Sequence, residues 1–180
     1  LGLDGGKVDR LDRSTERFVH YKLDNDAAVM AMHQDRKGRL WVGVWGRGLY
    51  WFDAAADRFV HYKEAFCVDR CRSCDYIYDI HEDQDGALWL ATFSGGLNKF
   101  EPAQKRFTFY LKDDTAPHSL SSDNLMSIHQ DRAGILWIGT HGGGLNRFDP
   151  DTETFTPYRE QDGLANDTVY GILEDAQGRL

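Results

Sequence analysis

The chain is short of proline, methionine and cysteine, with 4, 3 and 3 of them among 180 residues. No apolar run approaches the roughly 18 residues that a membrane-spanning helix needs. No stretch of useful length carries a helical repeat of apolar residues, which excludes an all-α class. Positive charge is also short. Lysine and arginine number 21 against 29 acidic residues, and the net charge of -8 argues against nucleic acid or an anionic membrane surface as partner. Leu1 is neither an initiator methionine nor the start of a signal peptide, so the sequence reads as a piece of a longer protein. The three cysteines, Cys67, Cys71 and Cys74, fall in one stretch. They could form one disulfide with a spare thiol, or supply metal ligands. No fourth ligand stands at a usual spacing, although Asp69, Asp75 and His81 are near in sequence.

What the chain has in abundance is repetition. Trp41, Trp89 and Trp137 stand 48 residues apart, as do Asp35, Asp83 and Asp131, and Gly38, Gly86 and Gly134. Phe59, Phe107 and Phe155 keep the same step. A fixed period of 40–50 residues marks a repeat architecture in which each unit is buried by its neighbours. Each copy reads as four short strands, here termed A to D. Strand A is the apolar run before the Asp, and D-x-x-G is a tight hairpin turn in which Gly takes the left-handed conformation. Strand B is Leu-Trp-apolar-small, a Gly-rich turn follows, and strands C and D end on Phe and Tyr. This is the pattern of a β-propeller blade.

The expected fold is all-β, an open propeller arc of three complete four-stranded blades with a partial blade at each end. The blades cover 29–62, 77–110 and 125–158. Residues 1–21 match strands C and D of a preceding blade, and 169–180 begin a following one with strand A. Such an arc must cover its cut edges, by the rest of a propeller or by homo-oligomerisation.

The register from Ile128-His129-Gln130-Asp131 through Leu136-Trp137-Ile138-Gly139-Thr140 to Gly144-Leu145-Asn146-Arg147-Phe148-Asp149 resembles the two-component regulator propeller repeat. Asp162-Gly163-Leu164 through Val169 resembles that family's connector between blades. Nearly the whole chain is covered. The resemblance implies a seven-bladed extracytoplasmic or periplasmic propeller, often in tandem, followed by a membrane span and a signalling output. That output is usually a hybrid histidine kinase, sometimes a diguanylate cyclase. It also implies oligosaccharide ligands. Residues Phe66 to Cys74 depart from the pattern by replacing the usual Gly-Leu connector.

In a propeller the B–C turns and D–A connectors share the rim that usually binds ligands. Trp45, Phe93 and His141 occupy one B–C turn position on successive blades. Flat rings there suit the faces of sugars, with Arg47, Ser94 and Asn124 as hydrogen-bond partners. Tyr76, His118, Asn166 and Asp167 lie on connectors of the same face. The plainer reading is that these rings only pack loop against loop. His33, His81 and His129 share a register on strand A, but adjacent blades stand too far apart for one ion to join them. Asp83-Gln84-Asp85-Gly86 starts like a calcium loop, yet no Glu follows at the required position. Gly142-Gly143-Gly144 lacks the strand–loop–helix setting of a phosphate cradle. No catalytic constellation, cofactor or metal site is expected. The sequence therefore points to a ligand-sensing, signal-transmitting module for an oligosaccharide or other small polar ligand. The alternatives are a protein-interaction scaffold and, further off, an enzyme of the streptogramin lyase type with His141 or His118 beside a metal.

Overall fold

The computed structural model describes residues 1–24, 26–62 and 75–180. The cysteine cluster lies outside the described residues. Among the described residues fifteen strands form four antiparallel sheets. The first holds β1 (Gly2–Leu3), β2 (Lys7–Asp12) and β3 (Arg17–Lys22). The second runs β4 (Val29–Gln34), β5 (Leu40–Val44), β6 (Gly48–Asp53) and β7 (Arg58–His61). The third runs β8 (Ile77–Glu82), β9 (Leu88–Thr92), β10 (Leu97–Glu101) and β11 (Arg106–Tyr110). The fourth runs β12 (Leu125–Gln130), β13 (Leu136–Thr140), β14 (Leu145–Asp149) and β15 (Thr154–Tyr158). Strands pair in chain order, so each sheet is a meander blade. The first strands of successive blades pack side by side, β4 on β8 and β8 on β12, and form the inner face of the arc.

Two ends differ from the sequence reading. The N-terminal sheet has a third strand, β1, at the strand B position. Residues 169–180 form no strand, because no strand B lies beside them to complete a ladder. Their hairpin turn survives all the same. Gly178 has φ +79, and Asp175 accepts from the Gln177 and Arg179 backbone N–H groups at 2.8 and 2.9 Å.

The repeated Asp does more than turn the chain. Asp83 Oδ1 accepts from the Asp85 and Ala87 N–H groups, while Oδ2 accepts the Trp89 indole N–H at 2.8 Å. Asp35 binds Trp41 at 2.9 Å, and Asp131 binds Trp137 at 2.8 Å, in the same way. One carboxylate thus fixes the A–B turn and orients the indole that packs against the next blade. Trp41 meets Phe100 edge-on at 5.8 Å, and Trp89 meets Phe148 at 5.2 Å. A second latch lies outside the indoles. The Tyr21 hydroxyl donates to Asp57 at 3.0 Å, and that of Tyr110 to Glu153 at 2.8 Å, each reaching the C–D turn of the following blade. The acceptors sit at left-handed positions, φ +47 and +53.

At the Gly-rich turn backbone meets backbone. Gly96 has φ +66, and a Cβ there would run into the Tyr110 carbonyl. Gly96→Ala combines left-handed strain with this clash, and should cost about 3 kcal/mol or more. Gly142→Ala, with φ +80 and nothing within 4 Å, should cost only about 1 kcal/mol. Urea unfolding of the two variants checks the difference.

Candidate functional site

Each B–C turn is tied by backbone to strand A at its rim end. Trp45 N–H donates to the Ala28 carbonyl, Phe93 to Tyr76 and His141 to Asn124, at 2.8–2.9 Å. The same turns reach the connector entering the next blade. Gly48 donates to Asp75, Gly96 to Asp123 and Gly144 to Asp167. These bonds set the three ring-bearing positions side by side along one rim without help from their side chains.

The rings form one chain of contacts across three blades. Trp45, 39 % exposed, stands edge-on to Tyr76 at 4.9 Å and to Tyr78 at 5.5 Å. Tyr78 reaches Phe93 at 5.9 Å, and Phe93 reaches the exposed His141 at 6.3 Å. Ser94, in the left-handed region at φ +68, gives its hydroxyl to Asn124 Oδ1 at 3.0 Å. Arg47 is exposed at the turn. His118 is not on this rim. Its carbonyl accepts from Phe155 on the outer strand of the last blade, where the connector covers that strand's free edge. Asn166 and Asp167 are engaged with the connector backbone of Thr168 and Glu160.

Two residues of the site were missed from sequence. Each strand A carries a β-bulge, between Val29 and Ala31, Ile77 and Asp79, and Leu125 and Ser127. The bulge reverses the alternation of side chains and turns Tyr78 toward the rim rings. Burial pushes the Tyr78 hydroxyl pKa up, with the nearby Tyr170 adding to it. Asp79 follows. Its carboxylate accepts the Ile80 N–H and, across the blade junction, the Ile128 N–H, both at 2.8 Å. Burial raises the Asp79 pKa, and these two bonds only partly offset it. The signals were present in register: Met30, Tyr78, Met126 and Tyr170 are all large, and Asp79 stands where Ala31 and Ser127 stand.

The strand A histidines are junction residues. His33 Nε2 lies 3.8 Å from Glu82, and His129 Nε2 lies 3.8 Å from Glu174, each on the following segment. His81 meets Gln130 at 3.4 Å, and burial lowers its pKa. Among the described residues no group of three or more His, Cys, Asp or Glu is placed to hold a metal ion. Among them, too, no helix is long and apolar enough to cross a membrane.

Fold and rim together define an arc of propeller blades with a continuous aromatic edge. The model of the two component regulator propeller matches residues 22–46, 72–94 and 119–142, and the chain is similar to that family over those stretches. Two similar structures are extracellular domains from B. thetaiotaomicron assigned to hybrid two component systems. BT4673 is 27% identical over 84% of this chain, with a TM-score of 0.68. BT3049 is 24% identical over 81%, with a TM-score of 0.71. The chain spans about a fifth of either domain's length. Virginiamycin B lyase from Staphylococcus aureus shares the fold at 16% identity over 86% of this chain and 48% of its own, with a TM-score of 0.64. No curated protein matches the chain.

Proposed function

We propose that the chain is part of the extracytoplasmic, periplasmic sensor propeller of a hybrid two-component signalling protein, and that its rim binds a carbohydrate or similar small polar ligand. The observation that carries this reading is the continuous chain of rings from Trp45 through Tyr78 and Phe93 to His141. Ring faces along a shallow edge suit the apolar faces of pyranoses, and Arg47, Ser94 and Asn124 flank them with donors and acceptors. The chain is not itself an enzyme on this reading. Its partners are the ligand, the rest of the propeller and a downstream kinase or cyclase. A scaffold role would use the same rim as a protein-docking face.

Titration against a panel of soluble oligosaccharides, followed by tryptophan fluorescence and calorimetry, tests the reading. Trp45→Ala or Phe93→Ala should weaken the best ligand about 10- to 100-fold, the cost of an aromatic anchor of roughly 1–3 kcal/mol. Trp51→Ala, off the rim, should leave affinity unchanged. Equal affinity in native protein and both rim variants sinks the rim assignment.

A further inference from the structure

The junction between the second and third sheets differs in chemistry from the one that follows it. Between the third and fourth sheets the Lys99 ammonium stands 5.2 Å over the Trp89 ring, and Tyr110 stacks on the same ring at 5.8 Å and 22°. The Tyr110 hydroxyl donates to Glu153. The cleft that remains is about 340 Å³, and Asp83, Asp85 and Glu153 line it along with Lys99. Acidic groups outnumber the cation there.

One junction earlier, Trp51 stands in register where Lys99 stands, Lys105 where Glu153 stands, and Arg39 where Ala87 stands. The cation over the indole now comes from the start of strand B, with the Arg39 guanidinium 5.2 Å from the Trp41 ring centroid. That releases the strand C position for a second indole, Trp51. Tyr62 no longer lies flat on its indole. It meets Trp41 at 66° and 6.4 Å, and leans on Phe100 at 4.9 Å. The cleft widens to about 430 Å³, within the range of small-molecule sites. Trp41, Trp51, Tyr62 and Phe100 line it together with Arg39 and Lys105, and none of the described lining residues is acidic. The cleft is therefore basic in a chain whose net charge is -8. Arg39 engages Asp35 through Nε at 2.7 Å, which fixes the guanidinium and leaves its terminal N–H groups to a ligand.

We infer that this cleft is a second binding site, separate from the rim, and that its ligand is a small aromatic carboxylate. The ring of such a ligand packs against the indoles of Trp41 and Trp51. Its carboxylate accepts from the Arg39 guanidinium and the Lys105 ammonium, a charge-assisted pairing. Trp51 and Lys105 belong to strand C and the C–D turn, away from the rim. A neutral sugar brings no charge to these cations, so the inference does not depend on what the rim binds.

Calorimetric titration with naphthylacetate tests the site, with the uncharged naphthylacetamide and the non-aromatic acid glucuronate as comparisons. Saturable binding of naphthylacetate is expected, with each comparison compound weaker by about 10-fold or more. Lys105→Glu installs the residue type that Asp57 and Glu153 supply at the same left-handed turn position, and Trp51→Lys installs the residue that stands at position 99. Both substitutions follow folded blades of this same chain, and urea unfolding verifies that each variant is folded. Each should weaken naphthylacetate by about 10- to 100-fold. No binding at about 10 mM ligand overturns the inference. So does equal affinity for the amide, a preference for glucuronate, or binding that either variant leaves unchanged.

Discussion

Trp89→Ala should lower the unfolding free energy by about 3–5 kcal/mol, the range for deleting a buried indole from a packed core. The side chain is 4 % exposed. It is held between Phe148 at 5.2 Å and Tyr110 at 5.8 Å, with the Lys99 ammonium 5.2 Å above its ring. Its loss also removes one of the three donors to Asp83, which is itself buried. Trp137 has the same bond to Asp131 but sits half-buried at the outgoing edge. Trp137→Ala should therefore cost about half as much, because only one blade packs on the ring. Urea unfolding of both variants measures the difference. Equal costs would show that the indole acts within its own blade and not at the junction.

Asp79→Asn should change how stability depends on pH. In the native chain Asp79 is raised from its ordinary value, chiefly by burial. Its contribution is fully present below the unfolded value and is lost as pH rises through the folded one. Asp35 and Asp131 run the other way. Burial raises each of them, but the indole N–H and backbone donors more than offset it, so both end below the ordinary value. Their contribution is present above the unfolded value and is lost as pH falls through the folded one. With Asp79 replaced, the downward slope on rising pH, at most about 1.4 kcal/mol per pH unit for one proton, should disappear. The acid-side loss from Asp35 and Asp131 should remain. Chemical unfolding at closely spaced pH values checks this. An unchanged profile in Asp79→Asn would assign the slope to another group.

The fold was legible because every junction makes the same demands. An Asp, a Gly and a Trp must recur at fixed intervals if one carboxylate is to close a turn and aim an indole. The ends were less legible for the same reason. Leu1-Gly2-Leu3 is a strand B fragment without its Trp, so only its later glycines spoke for it. Residues 169–175 carry a strand pattern, but a strand needs a neighbour, and the described residues offer none. At the rim, the repeat gave Trp45, Phe93 and His141 directly. Tyr78 escaped because alternation, counted strictly, puts it elsewhere, and a single bulged residue reverses the count. Asp79 escaped because its role depends on an N–H group from another blade.

The turns that carry Trp45, Phe93 and His141 are built from backbone bonds and glycines. The backbone bonds of these turns therefore do not depend on which side chain stands at those three positions. Exchange at the exposed His141 should alter stability by no more than about 0.5 kcal/mol, whereas replacing Trp45 or Phe93 also gives up ring contacts worth about 0.5–1.5 kcal/mol each. The side chains displayed on the turns and the path of the turns are thus under separate control in this architecture. Lineages, or experimenters, can rewrite the one residue by residue without renegotiating the other.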